Sequence, residues 1–290
     1  MLMLSIVFFI MWLLFRWHYY QTFPKEKIDA LFEPVTSKYG IRIVYEIGDD
    51  FFSPLENPPI PAGPPKDSKV KPIRHRMLIR YPDVLLKAFE KYPVEVIRKY
   101  LKTIYFAGEI DSNGRKAAGT YDPFRHIIYI VNNNSDDNLH AMHTFHHEFS
   151  SLLLKSRSFW INPWTDHHPK DFEYYDEVYG SYKEGKKARS AITDHYCYEK
   201  GFVTDYGLTN FENDFNEYSA MIFTRPQKFK KIMNQYPRVR GKFKIWLEFH
   251  QKIDPIFTEE YLLGEDQGHQ VNEKTRPTAY TTSTTRPLPP

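Results

Sequence analysis

The amino-acid sequence predicts an α+β domain, and three observations carry this prediction. Segments rich in β-branched and aromatic residues lie in the first half of the chain, at 39–47, 103–110 and 125–131. A histidine-rich stretch, 132–155, has apolar residues spaced for one buried helix face. Further segments with helical patterns follow between 212 and 263. We therefore expect a small mixed or antiparallel sheet packed on the histidine-rich helix, with a helical C-terminal half.

The composition is that of a globular protein. Hydrophobic residues make up 41% of the 290 positions and aromatic residues 17%, which is ample for a core. Lysine and arginine number 39 against 36 aspartates and glutamates, and this near balance argues against a nucleic-acid partner. The single cysteine, Cys197, excludes an internal disulfide and a cysteine-based zinc finger.

Residues 1–20 contain the apolar run MLMLSIVFFIMWLLF, followed by Arg16 and an aromatic flank. A transmembrane helix needs roughly twenty apolar residues, so the run is short for a full span. It resembles a signal-sequence core, but the basic start and the small-residue cleavage site are missing. The pattern predicts a membrane anchor or signal segment and favours an uncleaved anchor, because aromatic residues beside a positive charge are typical of a membrane interface.

The anchor implies a membrane-anchored protein, and we expect its domain on the cell-surface or periplasmic side. A secreted protein is the alternative. Arg16 and Lys25, under the positive-inside rule, argue weakly for the opposite orientation.

The elements of the first half follow from local patterns. Residues 25–38 form an amphipathic helix, and 39–47 form a strand. The remaining segments are, in order, a proline-rich extended excursion at 52–75, one or two helices at 82–101 broken before Pro93, and two strands at 103–110 and 125–131.

The histidine-rich segment begins with capping residues and two acids, as a helix N-terminus should. The apolar positions of its buried face are Leu139, Met142, Phe145, Phe149, Leu152 and Leu153. The stretch 156–190 is predicted to be irregular, and the Thr/Pro-rich tail 264–290 to be disordered. The predicted domain therefore spans 25–263.

Four histidines fall within eight residues of the predicted helix, at His140, His143, His146 and His147. Residues four apart lie on one helix face, so His143 and His147 have the spacing to hold one metal ion. Glu148 directly follows His147, as the general base follows the first ligand in an HExxH zinc motif. A helix that only packs would use better helix formers at these positions.

A catalytic zinc usually takes three protein ligands and leaves one position for water. Glu217, in the segment ENDFNEYSAMIF, is the best downstream candidate for a carboxylate ligand. Its neighbours Phe215, Tyr218 and Ile222 are spaced to face a core, which puts Glu217 at the edge of that face. The spacing equally allows a solvated acid near the start of a surface helix.

The segment MHTFHHEFSSLLL, followed further along the chain by NDFNEYSAMIF, resembles the "putative zinc-binding metallopeptidase" family of surface-anchored bacterial proteins, within the gluzincin group. The resemblance covers roughly 25–255 and is specific at these two motifs. It implies a gluzincin-like fold in which His147 is the first zinc ligand, Glu148 the general base and Glu217 the glutamate ligand. Asp214 matches an acid of the second motif, which implies a role in orienting a ligand histidine.

The sequence departs from this family at the second ligand, where Ser151 replaces the histidine of HExxH. A serine hydroxyl is a poor zinc ligand at neutral pH, so three outcomes stay open. His143 could supply the missing nitrogen, zinc could be held by two protein ligands and waters, or the site could be empty. Ser151 is then a candidate only for a contact beside the metal.

The family chemistry predicts a zinc-dependent metallopeptidase acting on a peptide or protein substrate, with Zn²⁺ activating water for the base Glu148. Candidate donors to the oxyanion are Tyr206, Tyr218, His195 and His168. One alternative is a catalytically inactive surface protein that binds metal, peptide or glycan. Another is a purely structural membrane-tethered protein.

Overall fold

The protein is described by a computed structural model over residues 24–48, 68–112, 114–133, 136–179 and 182–264, together with Met11. Several predicted segments lie outside the described residues, namely the anchor at 1–20 apart from Met11, positions 52–67 of the proline-rich excursion, and 265–290 of the tail. Within the described ranges, every helix is too short or too polar to cross a membrane.

A six-stranded mixed sheet organises the first half of the domain. Its strands are β1 (Arg42–Val44), β2 (Lys69–Pro72), β3 (Thr103–Ser112), β4 (Arg115–Lys116), β5 (Gly119–Asp122) and β6 (Ile127–Val131). The main order is β1-β3-β6-β5, in which β1 and β6 are parallel to β3 while β5 is antiparallel to β6. Both β2 and β4 pair antiparallel with β3. Strand β5 therefore ends the main order as an edge strand.

Both faces of the sheet carry buried apolar side chains. Ile104 and Phe106 of β3 belong to the main core, whereas Tyr105 and Ala107, which alternate with them, belong to a second cluster. Successive side chains of a strand point to opposite faces, which explains this division. The central strands β3 and β6 are hydrophobic almost throughout for the same reason.

Among the described residues of the first half, four helices accompany the sheet: α1 (Lys25–Tyr39), α2 (His75–Leu78), α3 (Tyr81–Phe89) and α4 (Val94–Tyr100). The predicted break before Pro93 is confirmed, since a proline disfavours helical backbone in the residue before it. The proline-rich excursion was predicted to reach residue 75, and this is wrong at its end. Residues Lys69–Pro72 form β2 because their backbone finds partners on β3, with Val70 opposite Ile110.

The histidine-rich segment forms α5 (Asn138–Lys155), which packs on β5 and β6. The carboxylate of Asp137 caps its N-terminus by accepting from the backbone N–H of His140 at 3.0 Å. The predicted apolar face is buried at Phe145 and Phe149, but Leu139 is 38% exposed. Leu139 differs because the first turns of α5 line an open cleft.

The stretch 156–190 was predicted to be irregular, and this is only partly correct. Its described residues include three short helices, α6 (Asn162–Thr165), α7 (Tyr175–Tyr179) and α8 (Tyr182–Arg189), joined by irregular segments. Tertiary packing stabilises such short helices where local pattern does not. In α6, for example, Trp164 is fully buried, with its ring 5.2 Å from that of Phe215 and 5.0 Å from that of Tyr218.

The second half is helical, as predicted. Its elements are α9 (Asp194–Glu199), a 3₁₀ turn (Tyr206–Leu208), α10 (Phe211–Thr224), α11 (Pro226–Gln235), α12 (Pro237–Gln251) and α13 (Glu259–Leu263). Helix α10 packs extensively against α5, and its residues Phe215, Tyr218 and Ile222 are buried in the core as expected. The α+β class with a mixed sheet on the histidine-rich helix is confirmed, and the α5–α10 contact forms the base of the site.

Candidate metal centre

Two histidines of α5 meet one carboxylate of α10. His143 and His147 are one turn apart, and both rings turn towards Glu217. The Nδ1 atom of His147 lies 2.9 Å from Oε1 of Glu217, and the Nε2 atom of His143 lies 3.4 Å from Oε2. The helical spacing of four residues, noted in the sequence, thus places two imidazoles against the predicted downstream acid.

Glu217 is a buried, ionised acid. Its side chain is 4% exposed, so the alternative of a solvated surface acid is wrong. Burial alone would raise the pKa of Glu217, but the charge of His143 and the hydrogen bonds from both histidines outweigh it and hold the pKa well below its usual range. Burial lowers the pKa of His147, but the hydrogen bond to Glu217 outweighs burial, so the pKa is raised above its ordinary value. Glu217 and His147 therefore each stabilise the charged form of the other.

Glu148 lies beside this pair, under the edge strand β5. Burial raises the pKa of Glu148 to about 7, against the opposing charge of His147. Its carboxylate fits against Gly119 of β5, where an added Cβ would lie 2.8 Å from Oε1. A glycine at this strand position therefore leaves the space that the acid occupies.

These side chains open into a cleft of about 700 Å³ between the start of α5, β5 and the loop that carries Tyr206. Tyr206 is half-buried, with its ring 5.8 Å from that of His147. Burial raises the pKa of Tyr206 to about 12, so its phenol stays protonated at neutral pH and can donate a hydrogen bond. The charge of Arg115, on β4, acts in the opposite direction and lowers the pKa of the same phenol. Tyr206 is thus the oxyanion candidate that lies at the cleft.

Ser151, at the family's second ligand position, makes hydrogen bonds to two side chains of α10. It is 1% exposed, accepts a hydrogen bond from Nδ2 of Asn216 at 2.6 Å and donates one to Oε1 of Glu212 at 3.0 Å. Its hydroxyl therefore joins a polar contact between α5 and α10, which replaces the expected role beside a metal.

Asp214, which the second motif predicts to orient a ligand histidine, has a set of buried partners in the structure. Its Oδ2 atom accepts from Lys242 at 2.6 Å, Trp164 at 2.7 Å and Tyr174 at 3.0 Å. Both Asp214 and Lys242 are fully buried. The pair ties α10 to α12 and α6, because a buried carboxylate is stable only when a cation and hydrogen-bond donors surround it.

Three other predicted oxyanion donors are turned away from the centre. The buried hydroxyl of Tyr218 donates to the backbone oxygen of Gly201 at 2.9 Å. His168 lies 3.4 Å from the buried Asp214, and His195 is an exposed residue of α9 that contacts Tyr236. Each contacts a partner that is distant in the sequence, so sequence spacing could not place it.

The two remaining histidines of α5 also separate. His140 is exposed near the helix start, whereas His146 is fully buried with its Nδ1 atom 2.9 Å from the hydroxyl of Tyr92. Burial lowers the pKa of His146 well below its usual value, so it is a neutral core residue. Of the four histidines, His143 and His147 therefore face Glu217.

The donor types at the centre fit zinc, which binds imidazole nitrogen and carboxylate oxygen. Their arrangement is nevertheless a hydrogen-bonded one. Across the part of the chain that the structure describes, no group of three or more His, Cys, Asp or Glu side chains is placed so that it could hold a metal ion as it stands. Metal binding through the nitrogens that face Glu217 would replace their hydrogen bonds, since a nitrogen lone pair cannot serve a metal while that nitrogen donates a proton.

Two residues of the site escaped the sequence prediction. Thr204 donates a hydrogen bond from its hydroxyl to Oε2 of Glu217 at 2.8 Å. Gly119 leaves the room for Glu148 described above. Neither lies at a helical spacing from the motif, so the motif could not indicate them.

An α+β fold with imidazoles and carboxylates converging on one cleft defines the class of zinc-metallopeptidase-like domains. The chain belongs to the family described as "Putative zinc-binding metallo-peptidase", whose model matches residues 24–275. It is similar to a crystal structure at 2.10 Å described as a "putative zinc-binding metallo-peptidase" from Bacteroides caccae, with 15% identity and a TM-score of 0.47. That match covers 82% of this chain and 93% of the other. No curated protein matches the chain.

Proposed function

We propose that this protein is a zinc-dependent metallopeptidase that hydrolyses peptide bonds at the cleft. The observation that supports this most is the convergence of His143 and His147 on Glu217, with Glu148 directly beside them. Family membership supports zinc as the metal.

Zinc would be held by His143, His147 and Glu217, so that His143 takes the place of the histidine that Ser151 replaces. When bound, zinc supplies a Lewis acid that polarises the scissile carbonyl and lowers the pKa of water. The three side chains provide two neutral nitrogen donors and one anionic oxygen, which is a donor set typical of catalytic zinc.

Glu148 carries the proton in this proposal. Its pKa of about 7 lets the carboxylate take a proton from water and return it to the leaving amine near neutral pH. The phenol of Tyr206, which stays protonated, donates to the carbonyl oxygen as negative charge develops there.

The substrate would be an extended peptide. Strand β5 pairs with β6 on one side and ends the main order of the sheet on the other. A peptide strand can add to such an edge through backbone hydrogen bonds. Gly119 and Thr120 of β5 line the cleft, so this edge would place a scissile bond next to Glu148.

A catalytically inactive metallopeptidase-like surface protein, binding metal, peptide or glycan, is the second candidate. It is favoured by one observation, namely that Glu217 already receives hydrogen bonds from His147 and Thr204 while Ser151 is bonded to Asn216 and Glu212. In that case the same cleft binds a ligand without hydrolysis.

Zinc stoichiometry and peptide cleavage measured together test the proposal. The wild type should bind one zinc and cleave a quenched fluorescent peptide library. The variant Glu148→Gln should keep the zinc and lose cleavage, while His143→Ala should lose both. His195→Ala, which removes an exposed imidazole of α9, is the matched control and should change neither.

The outcomes separate the candidates. Zinc binding without cleavage in the wild type supports the inactive protein. A wild type prepared without chelator that binds no zinc would rule out the metallopeptidase.

We also propose that residues 1–20 tether the domain to a membrane, on the cell-surface or periplasmic side. The apolar run and its aromatic flank support this. The full chain should sediment with membranes and resist carbonate extraction, whereas a chain that starts at residue 24 should not. Release of the full chain by carbonate would contradict the tether.

A further inference from the structure

Thr204 contacts the proposed carboxylate ligand directly. Its hydroxyl lies 2.8 Å from Oε2 of Glu217, and its Oγ1 also lies 3.3 Å from the backbone nitrogen of Gly207. A backbone N–H can only donate, so Oγ1 is the acceptor from Gly207. The one hydroxyl proton of Thr204 is thereby directed to Glu217.

The loop that carries Thr204 is fixed at both ends. Gly201 has a φ of 87°, which favours glycine, and its backbone oxygen accepts from the buried hydroxyl of Tyr218. Phe202 and Leu208, on either side of Thr204, are fully buried. The position of the hydroxyl is therefore set before any ligand arrives.

The hydrogen bond from Thr204 differs from those of the two histidines. A nitrogen that gives its lone pair to a metal cannot also donate a proton to Glu217. Metal binding through the nitrogens of His143 and His147 that face Glu217 therefore removes the hydrogen bond from His147 and the 3.4 Å contact from His143. The bond from Thr204 is unaffected, because its proton comes from a group that binds no metal.

We infer that Thr204 is a positioning residue for the metal centre: its hydroxyl holds Oε2 of Glu217 and leaves Oε1, the atom next to His147, to face the ion. The inference rests on the proposed zinc site. Contacts that orient a metal ligand typically change metal affinity by about 10- to 100-fold when removed.

Zinc affinity, measured by competition with a chromophoric chelator, tests this role without relying on activity. Thr204→Val keeps the shape and removes the hydroxyl, and it should weaken zinc binding by about 10- to 100-fold. Thr204→Ser keeps the hydroxyl and should stay within about threefold of the wild type. Thr165→Val is the matched control, because the hydroxyl of Thr165 donates only to the backbone oxygens of Ile161 and Asn162, at the start of α6.

The results distinguish this inference from the proposed function. Equal zinc affinity in the wild type and in Thr204→Val overturns the role of Thr204 and leaves the zinc site standing. Equal loss in Thr204→Val and Thr204→Ser also overturns it, since the hydroxyl would then be irrelevant. A wild type without zinc affinity overturns both. If Thr204→Val does not fold, Thr204→Ala is judged by the same criteria.

Discussion

Replacing the proposed general base should stabilise the metal-free protein. Glu148 is buried beside Glu217, and its pKa is about 7 in the folded chain against an ordinary value of 4.5. Ionising this carboxyl in the folded state therefore costs free energy that the unfolded chain does not incur. The variant Glu148→Gln keeps the shape of the side chain and removes the ionisation.

The size of the effect follows from the difference between the two pKa values. A raised pKa in the folded state means that the wild type is relatively most stable below pH 4.5 and loses stability as pH rises towards 7. The difference of 7 − 4.5 = 2.5 pKa units corresponds to about 3 kcal/mol, at 1.36 kcal/mol per unit. Glu148→Gln should therefore match the wild type near pH 4 and exceed its free energy of unfolding by about 3 kcal/mol at pH 8.

Urea denaturation in the presence of a chelator, followed by tryptophan fluorescence from pH 4 to pH 8, measures this difference. Glu109→Gln is a control of opposite sign, because Lys71 and Lys116 hold the pKa of Glu109 at about 2. Its removal should lower stability at neutral pH. A free-energy difference between Glu148→Gln and the wild type that stays constant across this pH range would refute the reasoning.

The remaining predictions concern the core and the cleft. Burial lowers the pKa of His250 to about 3, so its protonation opposes folding below pH 6.5. Between pH 7 and pH 4, the free energy of unfolding of the wild type should fall by about 3 kcal/mol more than that of His250→Phe, as measured from urea midpoints. Gly119→Ala would place a Cβ 2.8 Å from the carboxylate of the proposed base. It should lower peptide cleavage by about 10- to 100-fold at unchanged zinc content, whereas Gly185→Ala should not. Lys242→Met leaves Asp214 buried without its cation and should lower the free energy of unfolding by about 3–5 kcal/mol, as measured by urea titration. Adding Asp214→Asn to this variant should partly reverse the loss.

Local patterns predicted most of the fold because the core elements carry strong periodicity. The break at Pro93, the strands β3 and β6, and the helices α5 and α10 all follow from residues close together in the chain. The short helices α6, α7 and α8 do not, since contacts such as that of Trp164 with α10 stabilise them. Strand β2 was missed because its partner on β3 lies about forty residues away in sequence, and no local pattern encodes such a pairing.

In the site, too, nearby residues could be placed from the sequence, whereas tertiary contacts could not. His143, His147 and Glu148 share one helix, so spacing alone put them on neighbouring positions. The partners of Asp214 and Tyr218 could not be read from the sequence, because a buried polar group takes whichever partner the tertiary fold supplies, here Lys242 and Gly201. Residues that act through such partners are not encoded in local spacing.

The substitution at Ser151 illustrates why a single motif position cannot decide function. Its hydroxyl, at 2.6 Å from Asn216 and 3.0 Å from Glu212, joins α5 to α10 at the point where a ligand histidine is expected. A larger imidazole at that buried position would have to displace both contacts, and each buried polar partner left unpaired costs about 1–3 kcal/mol. His143, about two turns before Ser151 and one turn before His147, already reaches Glu217 without such a cost. These contacts support the proposed zinc site at His143, His147 and Glu217 over one that includes position 151.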